Sequence, residues 1–325
     1  MDESLVAPEL RHMVRRYPFK LLEYDFGRPL TRLLIKFMPP TRMKGVTIKA
    51  LKGPPRLRIY RPAARRTDAS LLWIHGGGYV LCAALVNDFS CSDICRTLGM
   101  NVVSVDYRLA PKFPFPIPAD DCLAAWQWMQ QSAASLGINP ARVVIGGASA
   151  GGGLAAGLVQ RIHDAGGTQP IAQWLLAPML DDRTAARREL DAVDHYVWNN
   201  RMNRAAWRLY LDTEPGSEDV PAYAAPARRT DLSGLPQSFI GAGSLDLFYE
   251  EDRAYADRLR RQGVAVAFET ITGAPHGFEE WARRTDIAKR FLAKARDWLR
   301  RTVQADAPAV AAAPRAVKAS VLSGS

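Results

Sequence analysis

From residue 46 onward the chain alternates short β-branched or aliphatic runs with stretches of helical periodicity, and this alternation narrows the fold more than any other feature. Strand, helix and strand in succession produce a mostly parallel sheet wrapped by helices on its faces. The runs Val46–Lys49, Leu57–Tyr60, Leu71–Ile74, Val102–Val105, Val143–Ile145, Ala172–Leu176, Ser238–Gly241 and Val264–Thr270 read as eight strands of one α/β sheet. Helical patterns fall near 87–98, 120–135, 150–165, 250–262 and 284–302. The last puts Ile287, Phe291, Leu292, Ala295, Trp298 and Leu299 on a single apolar stripe.

Two regions break the rhythm. Residues 1–45 are helical in pattern, with Leu10, Met13, Val14 and Tyr17 on one face and Leu33, Leu34 and Phe37 in a second apolar patch. Residues 181–225 scatter Tyr196, Trp198, Trp207, Tyr210 and Tyr223 among charges. Both are expected to pack on one side of the sheet, the insertion as a lid with one wet face and one apolar face. The expected organisation is an N-terminal arm at 1–45, a core at 46–180 and 226–303, an insertion at 181–225, and a disordered Ala/Pro-rich tail at 304–325.

The chemistry concentrates in RVVIGGASAGGGLAAGLV, a buried strand, a glycine-rich turn and a helix of small residues. It contains G-x-S-x-G, with Ser149 between Gly147 and Gly151. Such a strand-to-helix turn holds its serine in a strained backbone conformation, and the flanking glycines remove side chains that would clash. The hydroxyl then stands above the sheet, at a helix N-terminus whose N–H groups favour developing negative charge. A dinucleotide-binding loop would need glycine at Ser149, and a phosphate-binding loop would need a Lys-Ser/Thr pair after its last glycine. Neither is present.

A serine hydroxyl needs a base, and the base needs an orienting acid. Of five histidines, His12 lies in the arm, His163 on the helix after Ser149, His195 in the insertion, and His75 where it would brace a loop. His276, in TGAPHGF between the last strand and the last helix, is placed to face Ser149. Asp246, in SFIGAGSLDLFYEED, precedes the next helix, whereas Glu250, Glu251 and Asp252 read as first-turn complements to the helix dipole. The chain order Ser, Asp, His is the one α/β-hydrolases use. The glycines of His75-Gly76-Gly77-Gly78 let backbone N–H groups approach a ligand oxygen, and with the N–H of Ala150 they would form an oxyanion hole.

Composition agrees with a folded enzyme: 48% of residues are hydrophobic and 23% charged. The formal net charge of +10 invites a nucleic-acid reading, but residues 1–60 carry 13 Lys+Arg against 5 Asp+Glu, so +8 of it belongs to the first 60 residues. Without a basic motif or an interleaved aromatic pattern, no nucleic acid is expected as a partner. Cys82, Cys91, Cys95 and Cys122 lack a C-x-x-C pair and read as free thiols in a reducing compartment, with no metal site. No apolar run is long enough for an integral membrane segment or a signal sequence, so a cytoplasmic location is expected.

The motifs together resemble the hormone-sensitive lipase family of bacterial-type carboxylesterases, from about Leu71 to Trp298. The resemblance rests on HGGGYV at 75–80, VDYRLAPKFPFPIPADDC at 105–122, GASAGG at 147–152, SLDLFYEE at 244–251 and PHGF at 275–278. It implies an α/β-hydrolase fold with a helical cap, Ser149 as nucleophile, His276 as base, Asp246 as its partner, and Gly77, Gly78 and Ala150 as oxyanion donors. The implied reaction is hydrolysis of short- to medium-chain esters through an acyl-enzyme, without a cofactor. An amidase with the same residues and a non-catalytic ligand-binding relative are the alternatives, and a homodimer is compatible with the reading. Tyr79, Tyr196, Trp198 and Phe248 are candidate walls of the substrate pocket. Asp106 and Arg108 of the DYRLAP stretch are expected to brace a loop. Four positions depart from the family pattern: Ala148 where Asp is common, Gly153 where Asn is frequent, Leu247 in place of the usual Pro, and Glu250 in place of Asp at the second acid position.

Overall fold

The structure, a computed structural model, describes residues 1–16 and 27–305. Eight strands, β1 (Val46–Leu51), β2 (Leu57–Pro62), β3 (Ser70–Ile74), β4 (Asn101–Val105), β5 (Val143–Ala148), β6 (Ala172–Leu176), β7 (Ser238–Gly243) and β8 (Val266–Ile271), form one sheet in the order β1-β2-β4-β3-β5-β6-β7-β8. Only β2 runs against its neighbours; from β4 to β8 the sheet is parallel. The chain winds outward from β3 to β4 on one side and from β5 to β8 on the other. A crevice therefore opens between the C-terminal ends of β3 and β5, where ligands of open α/β sheets bind.

Alternation along the central strands divides the core in two. Leu72, Ile74, Val103, Val105, Val143, Ile145 and Leu175 point to the face covered by the helices Ile117–Gln131 and Ala150–Ala165. Leu71, Trp73, Val102, Val144, Trp174 and Leu176 point to the other face, under Asp88–Leu98 and the apolar stripe of Asp286–Ala305. Each such fully buried aliphatic side chain contributes roughly 1.5–3 kcal/mol. Trp73 of β3 and Trp174 of β6 meet with ring centroids 5.5 Å apart over Gly146 of the intervening β5.

Boundaries moved where local geometry outweighed pattern. β8 begins at Val266, because the N–H of Val264 bonds to the Leu259 carbonyl at 3.0 Å and closes the preceding turn. β5 runs on through Gly146 and Gly147, which have little strand propensity but are paired on both sides by β3 and β6. The helical pattern at 120–135 is a long helix followed by one turn, Ala133–Leu136, separated by Ser132. The last helix continues to Ala305, two residues into the expected tail, and 306–325 lie outside the described residues. The four cysteines are free thiols, and no helix among the described residues is long and apolar enough to cross a membrane.

The arm supplies the helices Pro8–Arg16 and Gly27–Lys36. Leu10 and Val14 are buried against the core layer of the last helix, whereas Leu33, Leu34 and Phe37 are exposed; Tyr17 lies outside the described residues. In the insertion, helices Asp182–Ala186 and Asn200–Leu211 flank a single 3-10 turn. Of its aromatics, Trp198, Trp207 and Tyr210 are buried and Tyr196 and Tyr223 half-buried. The Tyr196 hydroxyl donates to the Met1 carbonyl at 3.2 Å, joining the two regions.

The three acids opening the helix Tyr249–Arg261 do not share one role. Glu250 is exposed and pairs with Arg253, as a helix-dipole complement would. Glu251 is buried, and its Oε1 accepts the N–H groups of Leu180 at 2.7 Å and Asp181 at 3.2 Å, anchoring the chain where it leaves the core for the insertion. Asp252 is fully buried with neither oxygen partnered, and burial pushes its carboxyl well above the usual range. The folded protein therefore holds a proton that the unfolded chain releases, so stability is fullest below the unfolded carboxyl pKa of about 3.9 and declines as pH rises. Asp252→Asn is expected to raise the melting temperature, with a gain over wild type that grows from pH 5 to pH 8 in thermal melts.

Candidate active site

The strand β5 ends in a turn that only glycine-flanked sequence permits. Ser149 has φ 55° and ψ −126°, a region costing about 1–3 kcal/mol for a non-glycine residue. A Cβ on Gly147 would lie 2.3 Å from the Gly151 carbonyl oxygen, and one on Gly151 would lie 2.1 Å from the Ile74 oxygen. The following helix enters the crevice backbone to backbone. At that distance a methyl group has no room to turn aside.

This turn presents Ser149 Oγ to His276 Nε2 at 2.9 Å, while His276 Nδ1 lies 2.8 Å from Asp246 Oδ2. Asp246 Oδ1 accepts the N–H of Phe248 at 2.9 Å, which fixes the carboxylate plane. Asp246 follows β7 and His276 follows β8, and the two loops are stitched together. Ser244 N–H donates to the Ile271 carbonyl at 2.9 Å, Leu245 N–H to Ala274 at 3.1 Å, and Gly273 N–H to Ser244 Oγ at 2.9 Å. The arm supports them from outside, with Ala7 N–H donating to the Gly273 carbonyl at 2.9 Å. Burial alone would pull the His276 imidazole down. The charge of Asp246 and its hydrogen bond, with a smaller contribution from Glu279, outweigh burial and leave it above its ordinary value.

After β3, His75 is buried as a brace. Its ring stacks on Tyr107 with centroids 4.2 Å apart, its Nδ1 lies 2.8 Å from the Gly76 carbonyl, and Tyr107 Oη donates to the His75 carbonyl at 3.0 Å. Among the described residues the N–H groups of Gly77, Gly78 and Ala150 have no hydrogen-bond acceptor. Gly77 and Gly78 have φ of 114° and 59°, and a Cβ on Gly78 would meet the Trp198 ring at 2.3 Å. The DYRLAP stretch braces this loop: Asp106 Oδ1 accepts Ala84 N–H at 3.1 Å, and Arg108 holds Asp121 through a forked pair with contacts of 2.7 and 2.9 Å.

A cavity of about 180 Å³ opens beside Ser149. Its walls include the His75–Gly77 loop, Ala148, Leu176, His276, Glu279 and Glu280. The four aromatics expected as pocket walls lie around it instead. Phe248 meets the His276 ring edge-on at 5.2 Å and Trp198 sits 6.4 Å from it. Tyr79 is buried on Tyr210, with centroids 3.8 Å apart, and Tyr196 reaches toward the N-terminus. Of the other histidines, His163 packs near Gly234, and His195 in the insertion is pushed down by burial. Glu279 and Glu280 were not singled out from the sequence, although they directly follow PHGF. Among the described residues no group of His, Cys, Asp and Glu is arranged to hold a metal.

A family model described as alpha/beta hydrolase fold matches residues 71–280. The chain belongs to the hormone-sensitive lipase branch of the α/β-hydrolases. It is 33% identical over 265 residues to carboxylic ester hydrolase LipN of Mycobacterium tuberculosis, covering 78% of this chain and 69% of that one. It is 32% identical over 268 residues to lipase 2 of a Moraxella species, covering 70% of this chain but only 59% of the lipase. Among solved structures, a bacterial heroin esterase superposes with a TM-score of 0.84 at 34% identity, covering 92% of this chain and 98% of the other. The branch is one of serine ester hydrolases, and the departures from its pattern acquire reasons here. At Gly153 a Cβ would lie 2.1 Å from the Met179 oxygen, so no larger residue fits, and Ala148 contributes apolar wall to the cavity.

The closest approach of the helix to β3 yields a test. Gly151→Ala places its methyl against the fixed carbonyls of Ile74 and His75. Overpacking of this kind costs about 1–3 kcal/mol or more. Urea denaturation is expected to show at least that loss, together with loss of esterase activity.

Proposed function

We propose that the chain hydrolyses short-chain carboxylic esters, with Ser149 as nucleophile, His276 as general base and then acid, and Asp246 as the group that fixes the imidazole tautomer. The observation that carries this reading is the unbroken hydrogen-bonded line from Asp246 through His276 to Ser149. Ser149 Oγ attacks the ester carbonyl as His276 Nε2 takes its proton. The carbonyl oxygen becomes an oxyanion held by the N–H groups of Gly77, Gly78 and Ala150. Collapse expels the alcohol, which takes the proton from His276 and leaves an acyl-serine. Water then repeats the sequence with the acyl-enzyme, releasing acid and restoring Ser149. Buried Asp246 stabilises the imidazolium at each stage without accepting the proton.

The size of the cavity supports a small acyl group. A closed apolar cavity of about 150 Å³ admits a benzene-sized molecule, and the space beside Ser149 is about 180 Å³. Hydrolysis of p-nitrophenyl esters is expected to favour acetate and butyrate and to fall steeply for long acyl chains. The arm and the insertion, joined at Tyr196 and Met1, form the cap over this site in our reading.

Ser149→Ala is expected to abolish turnover of p-nitrophenyl butyrate in a protein whose circular dichroism is unchanged. Asp246→Asn is expected to lower kcat by about 10⁴, the loss typical when the orienting acid of a triad imposes the wrong tautomer. Because His276 must be neutral to act as base and is held above its ordinary pKa of about 6.5, kcat/KM is expected to rise with pH through a midpoint above that value. A midpoint at or below it would contradict the assignment.

A further inference from the structure

Glu279 lies in the wall of the cavity beside Ser149, and it is not a structural ion pair. It is 5% exposed; its own backbone N–H donates to its carboxyl, and among the described residues no side chain does. The neighbouring Glu280 is different: its Oε1 accepts Ser90 Oγ at 2.7 Å and Asn87 Nδ2 at 3.2 Å, which fixes it in the same wall. A buried carboxylate held by one backbone hydrogen bond and no cation is costly, and such groups are ordinarily paired or neutralised. Here Glu279 lines the cavity beside Ser149, and no other lining residue is a fixed cation.

We propose that Glu279 is a specificity-determining residue, and that the cavity selects esters carrying a cationic amine, whose ammonium group pairs with the Glu279 carboxylate while Ser149 attacks the carbonyl. This rests on the assignment of Ser149, His276 and Asp246 above and names the substrate class of that same site. The groups facing Glu279 leave this role open to the substrate. On its own loop are His276 and Glu280, after β7 is Asp246, and across the cavity are His75 and the thiol of Cys82. Burial holds the Cys82 thiol protonated, raised to about 11. None of these is a fixed cation that would saturate the carboxylate.

The proton affinity of Glu279 fits the same picture. Burial, with repulsion from Glu280, raises its pKa to about 7, against the hydrogen bond from its own backbone N–H and the attraction of His276. At neutral pH a proton and a substrate cation therefore compete for one carboxylate. By linkage, a bound ammonium lowers the pKa of Glu279, and cationic esters gain relative to neutral ones as pH rises through 7.

The test uses two isosteric pairs that place the charge on either side of the ester. Acetylcholine is compared with 3,3-dimethylbutyl acetate, and betaine ethyl ester with ethyl 3,3-dimethylbutanoate, each rate corrected for spontaneous hydrolysis. In the full-length wild-type enzyme at pH 8, at least one pair is expected to show a cation preference in kcat/KM of about tenfold or more. The preference is expected to shrink at pH 6 and to fall to near unity in Glu279→Gln. Inhibition of neutral-ester hydrolysis by tetramethylammonium needs no variant, and it is expected to be competitive and stronger at pH 8 than at pH 6. Ser149-dependent hydrolysis of the neutral esters with no charge discrimination in either pair, or a preference that survives in Glu279→Gln, overturns the inference while leaving the triad in place. Absence of Ser149-dependent turnover for every ester would instead remove the reading on which it rests.

Discussion

The contact on which the site depends is the approach of the Ala150–Ala165 helix to the ends of β3 and β6. Its first turns pack backbone against backbone: a Cβ at Gly151 would meet Ile74, at Gly152 Pro178, and at Gly153 Met179. Glycine inside a helix costs about 1 kcal/mol relative to alanine, so a run of three is a substantial local penalty. It is offset by what close approach permits. The helix N-terminus is driven into the switch point of the sheet, and Ser149 is held in a conformation that an unconstrained serine would leave.

The other functional groups converge on that point from strands far apart in sequence. β3 ends in the glycine loop, β7 in the turn carrying Asp246, and β8 in the loop carrying His276. Because neighbouring parallel strands end side by side, loops separated by 30 residues, as Asp246 and His276 are, need only short backbone bridges to be locked together. Gly243 shows how tight that lock is, since a Cβ there would lie 2.1 Å from the Ala274 oxygen. The arm extends this support by seating Ala7 on Gly273, which makes a segment remote in sequence part of the scaffold for the His276 loop.

The strands, their number and the positions of Ser149, Asp246 and His276 were legible because each depends on local information: apolar runs, a turn that needs glycine, a residue following a strand. Tertiary override explains what was not. Glu251 and Asp252 open a helix, where acids are ordinarily solvent-facing, and nothing local says that this end of the helix is buried against the start of the insertion. Tyr79 stacks on Tyr210 and packs tilted against Trp207, contacts concealed by its distance in sequence from both. The arm's exposed Leu33, Leu34 and Phe37 followed a helical pattern whose apolar face could not be matched to a partner from sequence.

Charge is distributed against the overall composition. A chain of net charge +10 gathers Asp246, Glu251, Asp252, Glu279 and Glu280 in the region behind and beside one histidine. Of these, Asp246 and Glu279 act on His276 directly and raise it. Burial raises the carboxyls of Glu251, Asp252 and Glu279, which favours their neutral forms. Asp246 is set apart by geometry: its two oxygens accept from His276 and from the Phe248 backbone. In the proposed mechanism this leaves Asp246 as the principal charge acting on the imidazole.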